Sequence, residues 1–185
     1  QPAQLVRDAR QHGVEVRPPC VLASDWDCTL EGDPEPERPA GQVIVGPLRP
    51  LRLGLRQIKG FKRDDAQALM QARKDGARTL EDIALRAGLS RRALELLAEA
   101  DAFAGLGLDR RQALWAIKGF APEVGAEKDA PLLSRQSVKE AQVQLPFMTE
   151  SRQVAEDYRT TSLSLRRHPV SFFRPELEAQ KIVPS

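Results

Sequence analysis

From Leu55 onward the apolar residues fall at helical spacing, and they keep to it for about 65 residues. The run is punctuated rather than continuous. Thr79 with Asp82 has the form of a capping box opening TLEDIALRAG, which Gly88 closes. Ser90 then caps RRALELLAEA, whose Ala93, Leu94, Leu97 and Ala98 share one face. Asp101 starts a short turn of helix, and Asp109 caps RRQALWAIKGF, with Leu114, Trp115 and Ile117 expected inward. Helices this short, joined by turns of two to four residues, must pack as a compact cluster.

The flanks read differently. Leu5, Val6 and Ala9 predict a helix over Gln4–Gln11, stopped by Gly13, and Val14–Arg17 alternates as a short strand. VLASDWDCTLE is expected to be a half-buried strand with Trp26, Cys28 and Leu30 inward and Asp25 and Asp27 on the wet face. Gly32–Gly41 is an acidic, proline-rich loop, and Val43–Val45 and Leu51–Leu53 read as further strands. Past Phe120 the pattern breaks into a linker. A last helix is expected from Ser151 to Ser164, with Val154, Tyr158 and Leu163 or Leu165 inward, ended by His168-Pro169. The predicted fold class is mainly α, with a small α+β amino-terminal part. Because the chain opens on Gln1 and enters a helical pattern at once, it is expected to be a piece of something longer.

The stretch LRQIKGFKRDDAQALMQAR, from Leu55 to Arg73, has the form of a helix-hairpin-helix. A short helix with Leu55 and Ile58 inward meets a tight turn at Lys59-Gly60-Phe61-Lys62, and a second helix starts near Arg63. A glycine there lets backbone approach a phosphate closely, and free amides at the next helix start point at the anion. Lys59, Lys62 and Arg63 would add charge and release counterions, giving sequence-independent, salt-sensitive affinity. The motif's usual second glycine is replaced by Lys62, and Asp64 and Asp65 suit the helix dipole but not a phosphate, so contact is expected to be loose. The alternative for this stretch is an ordinary pair of short helices with solvated basic residues. GLSRRALELL repeats the glycine, the adjacent basic residues and the apolar helix start of GFKRDDAQAL.

Between Arg49 and Lys118 fifteen Lys or Arg face nine Asp or Glu, a local excess that suits a phosphate binder although the whole chain is only +2. Cys20, Cys28, His12 and His168 are too few and too scattered for a zinc site. Asp25, Asp27, Glu31 and Asp33 read as a solvated edge rather than a metal site, and no Ser–His pair suggests a nucleophile, so no catalytic residue is assigned. No run approaches the roughly 20 apolar residues of a membrane helix. A start of the secretory type is also missing, which makes the cytoplasm the expected location.

Four blocks, ASDWDCTLE, LRLGLRQIKG, LSRRALELLAEADAFAGLGLDRRQALWAIKG and EDYRTTSLSLRRHPVSFFRPEL, resemble in order and spacing the bacterial error-prone DNA polymerases. These are C-family enzymes similar to the replicative polymerase III alpha subunit, and the likeness runs from about Gln4 to Val183. It implies a parent DNA-directed DNA polymerase, a nucleotidyltransferase that uses magnesium and deoxynucleoside triphosphates in damage-induced mutagenesis and translesion synthesis. Residues 1–47 would then be the end of the fingers, 48–120 the helix-hairpin-helix DNA-binding region, 121–150 a linker and 151–185 a helix leading toward an OB domain. The catalytic palm would lie upstream, so this segment is expected to be non-catalytic, with no cofactor of its own, and to hold double-stranded primer-template DNA. By the same resemblance the DNA contacts fall to Lys59, Gly60, Phe61, Lys62 and Arg63, with Arg91 and Arg92 in a second, less regular turn. The replicative relative carries a clamp-binding peptide with a terminal aromatic in its linker. The corresponding APLLSRQ, Ala130 to Gln136, lacks that aromatic, so recruitment by a mutagenesis accessory protein stands beside direct binding to a sliding clamp. Two other readings stay open: a protein-interaction module that docks such a partner, and a stand-alone helix-hairpin-helix module of DNA repair.

Overall fold

The computed structural model describes residues 2–32, 48–119 and 146–181. Helix α1 (Pro2–Gln11) ends before Gly13, whose φ of +83° turns the chain toward β1 (Val16–Arg17). Strands β2 (Thr29–Leu30) and β3 (Leu51–Arg52) complete a small sheet in the order β1-β3-β2, with β3 parallel to β1 and antiparallel to β2. Ladders two residues long carry few backbone bonds, and side chains do much of the holding. The Glu31 carboxylate accepts from Arg17 Nη1 and from Arg52 Nε, each at 2.6 Å. The Glu31 amide donates to the Pro50 carbonyl at 2.8 Å, and the Arg49 guanidinium donates to the carbonyls of Leu30, Glu31 and Gly32.

The stretch expected as a long strand is mostly turns, with only Thr29–Leu30 paired and both Cys28 and Leu30 exposed. Its polar residues are claimed by partners far along the chain. Buried Ser24 donates through Oγ to the Leu53 carbonyl at 2.7 Å. Asp25 meets Arg73 and Asp27 meets Arg56, both at 2.6 Å. The carbonyls of Asp25 and Trp26 accept the amides of Leu55 and Arg56, so the segment caps the first turn of the helical region. It crosses directly over Gly54, where a Cβ would stand 2.4 Å from the Trp26 carbonyl oxygen.

A single 3-10 turn (Leu55–Gln57) leads into α2 (Arg63–Lys74), α3 (Leu80–Ala87), α4 (Arg91–Glu99), a second 3-10 turn (Ala104–Leu106) and α5 (Arg110–Gly119). α2 packs on α3 and α4 on α5 around a core that includes Leu55, Ile58, Leu69, Ile83, Leu97, Phe103 and Ile117. The helix starts are capped as the sequence suggests. Thr79 Oγ1 accepts from the Asp82 amide, and Ser90 Oγ from the Ala93 amide. At α5 the cap is reciprocal: Asp109 Oδ1 takes the Gln112 amide at 2.8 Å while Gln112 Oε1 takes the Asp109 amide at 2.9 Å. The inward stripe of α5 runs through Arg110, Ala113 and Ile117, which leaves Trp115 half exposed instead of buried.

Helix α6 (Glu150–Thr161) lies against α4 and is ended by Ser162, at φ +63°, rather than by His168. Val154 is buried as expected, but Tyr158 is 39% exposed. Leu163 joins Val6 and Leu53 in a second, smaller core that ties α1 to the sheet and to the chain after α6. His168 opens a 3-10 turn (Pro169–Phe172), accepting the Val170 amide, and α7 (Arg174–Ala179) follows. Among the described residues no helix is long and apolar enough to cross a membrane.

Candidate nucleic-acid interface

The chain from Ile58 to Arg63 forms the predicted joint. Ile58 and Phe61 turn their side chains into the core, 1% and 6% exposed, and the Phe61 amide closes the turn on the Ile58 carbonyl. Gly60 between them sits at φ +79° in the left-handed region, where side chains are strained. Lys62 then occupies the N-cap of α2 in an extended conformation and supplies no side-chain cap. Thr79, Ser90 and Asp109 each satisfy an amide at their helix starts, whereas the first-turn amides of α2 are left without such an acceptor. Lys62 and Arg63 are exposed and make no ion pair among the described residues. Asp64 and Asp65 follow in the same turn.

Lys59 has a different place. Its amide donates to the Thr160 carbonyl at 2.9 Å and its Nζ to the Tyr158 carbonyl at 3.2 Å, so it ties the turn to the end of α6. Phe61 contributes packing, since its ring belongs to the core cluster.

The same turn recurs twice. Gly88-Leu89-Ser90-Arg91 and Gly107-Leu108-Asp109-Arg110 repeat the order of left-handed glycine, apolar residue, N-cap and arginine seen at Gly60-Phe61-Lys62-Arg63, with φ of +58° and +76°. The sequence likeness drawn above covers only the first two, although the G-x-x-R spacing of the third was there to read. Arg91 and Arg92 are exposed but share glutamates: Arg91 Nε is 3.1 Å from Glu95, and Arg92 Nη1 is 3.7 Å from Glu95 and 3.5 Å from Glu99. Arg110, at the third turn, is 5% exposed and points inward. Its Nη2 meets Asp157 Oδ1 at 2.6 Å and its Nη1 donates to the Gln153 carbonyl. Asp157 Oδ2 accepts from Ser164 Oγ at 2.8 Å and faces Arg166 Nε at 3.4 Å, and Arg166 reaches on to Asp101. Burial pushes the Asp101 carboxyl above its ordinary range, with Arg110 and Arg166 pulling it back down. The third turn therefore turns its arginine onto α6, whereas the first two, although Lys59 ties the first to the end of α6, keep Lys62, Arg63, Arg91 and Arg92 exposed.

Of the four carboxylates considered for a metal, three are spent on arginines, Asp25 on Arg73, Asp27 on Arg56, and Glu31 on Arg17 and Arg52, while Asp33 lies outside the described residues. Among the described residues no group of three His, Cys, Asp or Glu is placed to hold a metal ion. Cys20 and Cys28 are free thiols. The stretch Ala130 to Gln136 lies outside the described residues.

The family described as the helix-hairpin-helix motif matches residues 13–113. The chain is 52% identical, over its whole length, to the error-prone DNA polymerase of Caulobacter vibrioides, of which it covers 18%. Error-prone DNA polymerase 1 of Rhizobium meliloti is 43% identical over the whole chain, which covers 17% of it. The error-prone DNA polymerase of Ruegeria pomeroyi is 44% identical over 95% of the chain, which corresponds to 15% of that protein. The chain thus spans less than a fifth of these relatives' length, and the resemblance drawn from its sequence blocks is borne out. With a left-handed glycine turn leading into an uncapped helix start, and with this match, the chain belongs to the helix-hairpin-helix family, in a form similar along its whole length to one segment of bacterial error-prone DNA polymerases.

Proposed function

We propose that this chain holds double-stranded primer-template DNA, without regard to sequence, as a segment of an error-prone DNA-directed DNA polymerase. The observation that carries the reading is the first turn: Gly60 in the left-handed region, α2 starting without a side-chain cap, and Lys62 and Arg63 exposed beside it with no ion pair among the described residues. A phosphate oxygen placed there accepts the first amides of α2 at the positive end of the helix dipole. The two cations neutralise the adjoining backbone and release its counterions. Asp64 and Asp65 repel the same phosphates, which keeps the grip weak enough for the duplex to slide as it lengthens.

In this reading, nucleotidyl transfer with magnesium and deoxynucleoside triphosphates belongs to other parts of the polymerase, and the segment supplies position rather than chemistry. Residues 1–47 are the end of the fingers, 48–120 the duplex grip, 121–150 a linker and 151–185 the approach to a further domain. The work served is repair and translesion synthesis after DNA damage, on a chromosome that lies in the cytoplasm. Leu85 and Trp115, 78% and 51% exposed, favour a second reading beside the first, a surface for a sliding clamp or a mutagenesis accessory protein.

Fluorescence anisotropy of the chain with a labelled primer-template duplex, titrated across salt, tests the proposal. Affinity that falls steeply with salt and ignores sequence is the expected result. A folded chain that leaves the duplex unbound at low salt, while retaining a clamp or accessory protein, would shift the assignment to the second reading.

A further inference from the structure

A cavity of about 550 Å3 opens between α1 and the end of α6. Arg7, Arg10 and His168 line it, Tyr158 forms part of its wall, and Val6 and Leu163 give it an apolar floor. Among the described residues no acidic side chain lines it. Arg7 and Arg10 make no ion pair among the described residues, and Arg10 is steadied by donating through Nη1 to the Leu165 carbonyl at 3.0 Å. Arg166, which also lines the cavity, is already engaged by Asp101 and Asp157.

Two guanidinium groups without an ion pair among the described residues, a tyrosine that is 39% exposed and an apolar floor form a surface complementary to a nucleotide, with the phosphate on the arginines and the base on the aromatic ring. The cavity's position is equally informative. Lys59 reaches from the first hairpin turn to the backbone carbonyls of Tyr158 and Thr160, so the cavity wall adjoins the turn through main chain, which a change of the Tyr158 side chain leaves in place. A base inside a duplex is paired and stacked and has no face to offer Tyr158. An unpaired base next to the duplex does.

We propose that this cavity binds an unpaired nucleotide of the strand that runs off the duplex held at the first turn. The proposal rests on the duplex-holding reading for its geometry. The same nucleotide chemistry has two sources, a nucleic-acid strand or a free deoxynucleoside triphosphate, and the strand is favoured by the direct tie between the cavity wall and the turn.

The test compares the full chain's affinity, by anisotropy, for a labelled blunt duplex and for the same duplex with a single-stranded overhang. Stacking of one base predicts binding tighter by roughly fivefold or more with the overhang. Tyr158→Leu combined with Arg7→Ala should bring overhang binding down to the blunt value while blunt binding holds. Tyr158→Phe, which keeps the ring, should retain the increment. Lys62→Ala with Arg63→Ala should weaken both probes and preserve their ratio. Equal affinity for the two probes in the unaltered chain, or an increment that survives Tyr158→Leu with Arg7→Ala, would overturn the proposal. Binding of free deoxynucleoside triphosphate to the unaltered chain, with no increment from the overhang, would overturn it in favour of a mononucleotide site. Overhang DNA bound with blunt duplex ignored would leave the cavity standing and sink the duplex-holding reading.

Discussion

Replacing Lys62 and Arg63 together by alanine removes the two cations at the first turn without touching its architecture. Lys62 caps α2 with backbone alone, and neither side chain has an ionic partner among the described residues, so the fold loses nothing with them. Each phosphate neutralised on duplex DNA contributes about 0.9 to the slope of log affinity against log salt, so the double variant should be shallower by about 1.8. Over a fourfold rise in salt that difference amounts to about 12-fold in relative affinity. The informative comparison is Arg91→Ala with Arg92→Ala. Those arginines share Glu95 and Glu99, so part of their charge is already answered, and their loss should flatten the slope by less than about 1. Anisotropy titrations of both double variants, with helical content checked by circular dichroism, give the slopes directly. A slope for the Lys62/Arg63 variant equal to that of the unaltered chain would refute the assignment of phosphate contact to this turn. So would a larger effect from Arg91 and Arg92.

Further perturbations test other parts of the structure. Gly60→Val forces a β-branched residue to φ +79° and should cost about 1–3 kcal/mol of stability along with duplex affinity, whereas Gly60→Asn, which tolerates the left-handed region, should cost less; thermal melts and binding together show which. Arg110→Met breaks the buried pair with Asp157, but Ser164 and Arg166 still hold that carboxylate, so the loss should fall at the low end for a buried pair, about 3 kcal/mol, or about 6–12 °C in melting temperature. Arg110→Met with Asp157→Leu should recover most of it if the charge, and not the packing, is what the single variant loses. Glu31 is held below its ordinary range, first by the hydrogen bond from Arg52 and then by Arg17, so its contribution is present above about pH 4.3 and is lost as pH falls through the lower folded value; Glu31→Gln should flatten that limb of the acid melting profile.

The helical cluster was legible because its signals are local. Thr79, Ser90 and Asp109 announce their helices a few residues ahead, and Gly60 needs only its neighbours to make the turn. What escaped depends on residues distant in sequence. Asp25 and Asp27 alternate with Trp26 and Cys28 as strand residues would, but Arg73 and Arg56 draw them into a cap for the helical region. Trp115 belongs inward by hydropathy, yet α5 turns Arg110 to the interior because Asp157, on another helix, answers its charge. The same holds at the candidate site: the cations could be counted from sequence, but nothing local says that Lys59 reaches α6 while Lys62 and Arg63 have no ion pair among the described residues. Prolines at Pro169 and Pro175 break helical periodicity, which hid the 3-10 turn and α7.

The clasp between β2 and β3 brings together two points of the chain that lie far apart in sequence. Leaving past Glu31 and returning at Pro50, the backbone passes through one hydrogen-bonded gate, reinforced by Arg49 on three carbonyls. Arg49→Ala would remove three of the bonds that close this gate and leave the Glu31 amide on the Pro50 carbonyl to hold it, so the register of β2 on β3 rests on one arginine as much as on the ladder itself.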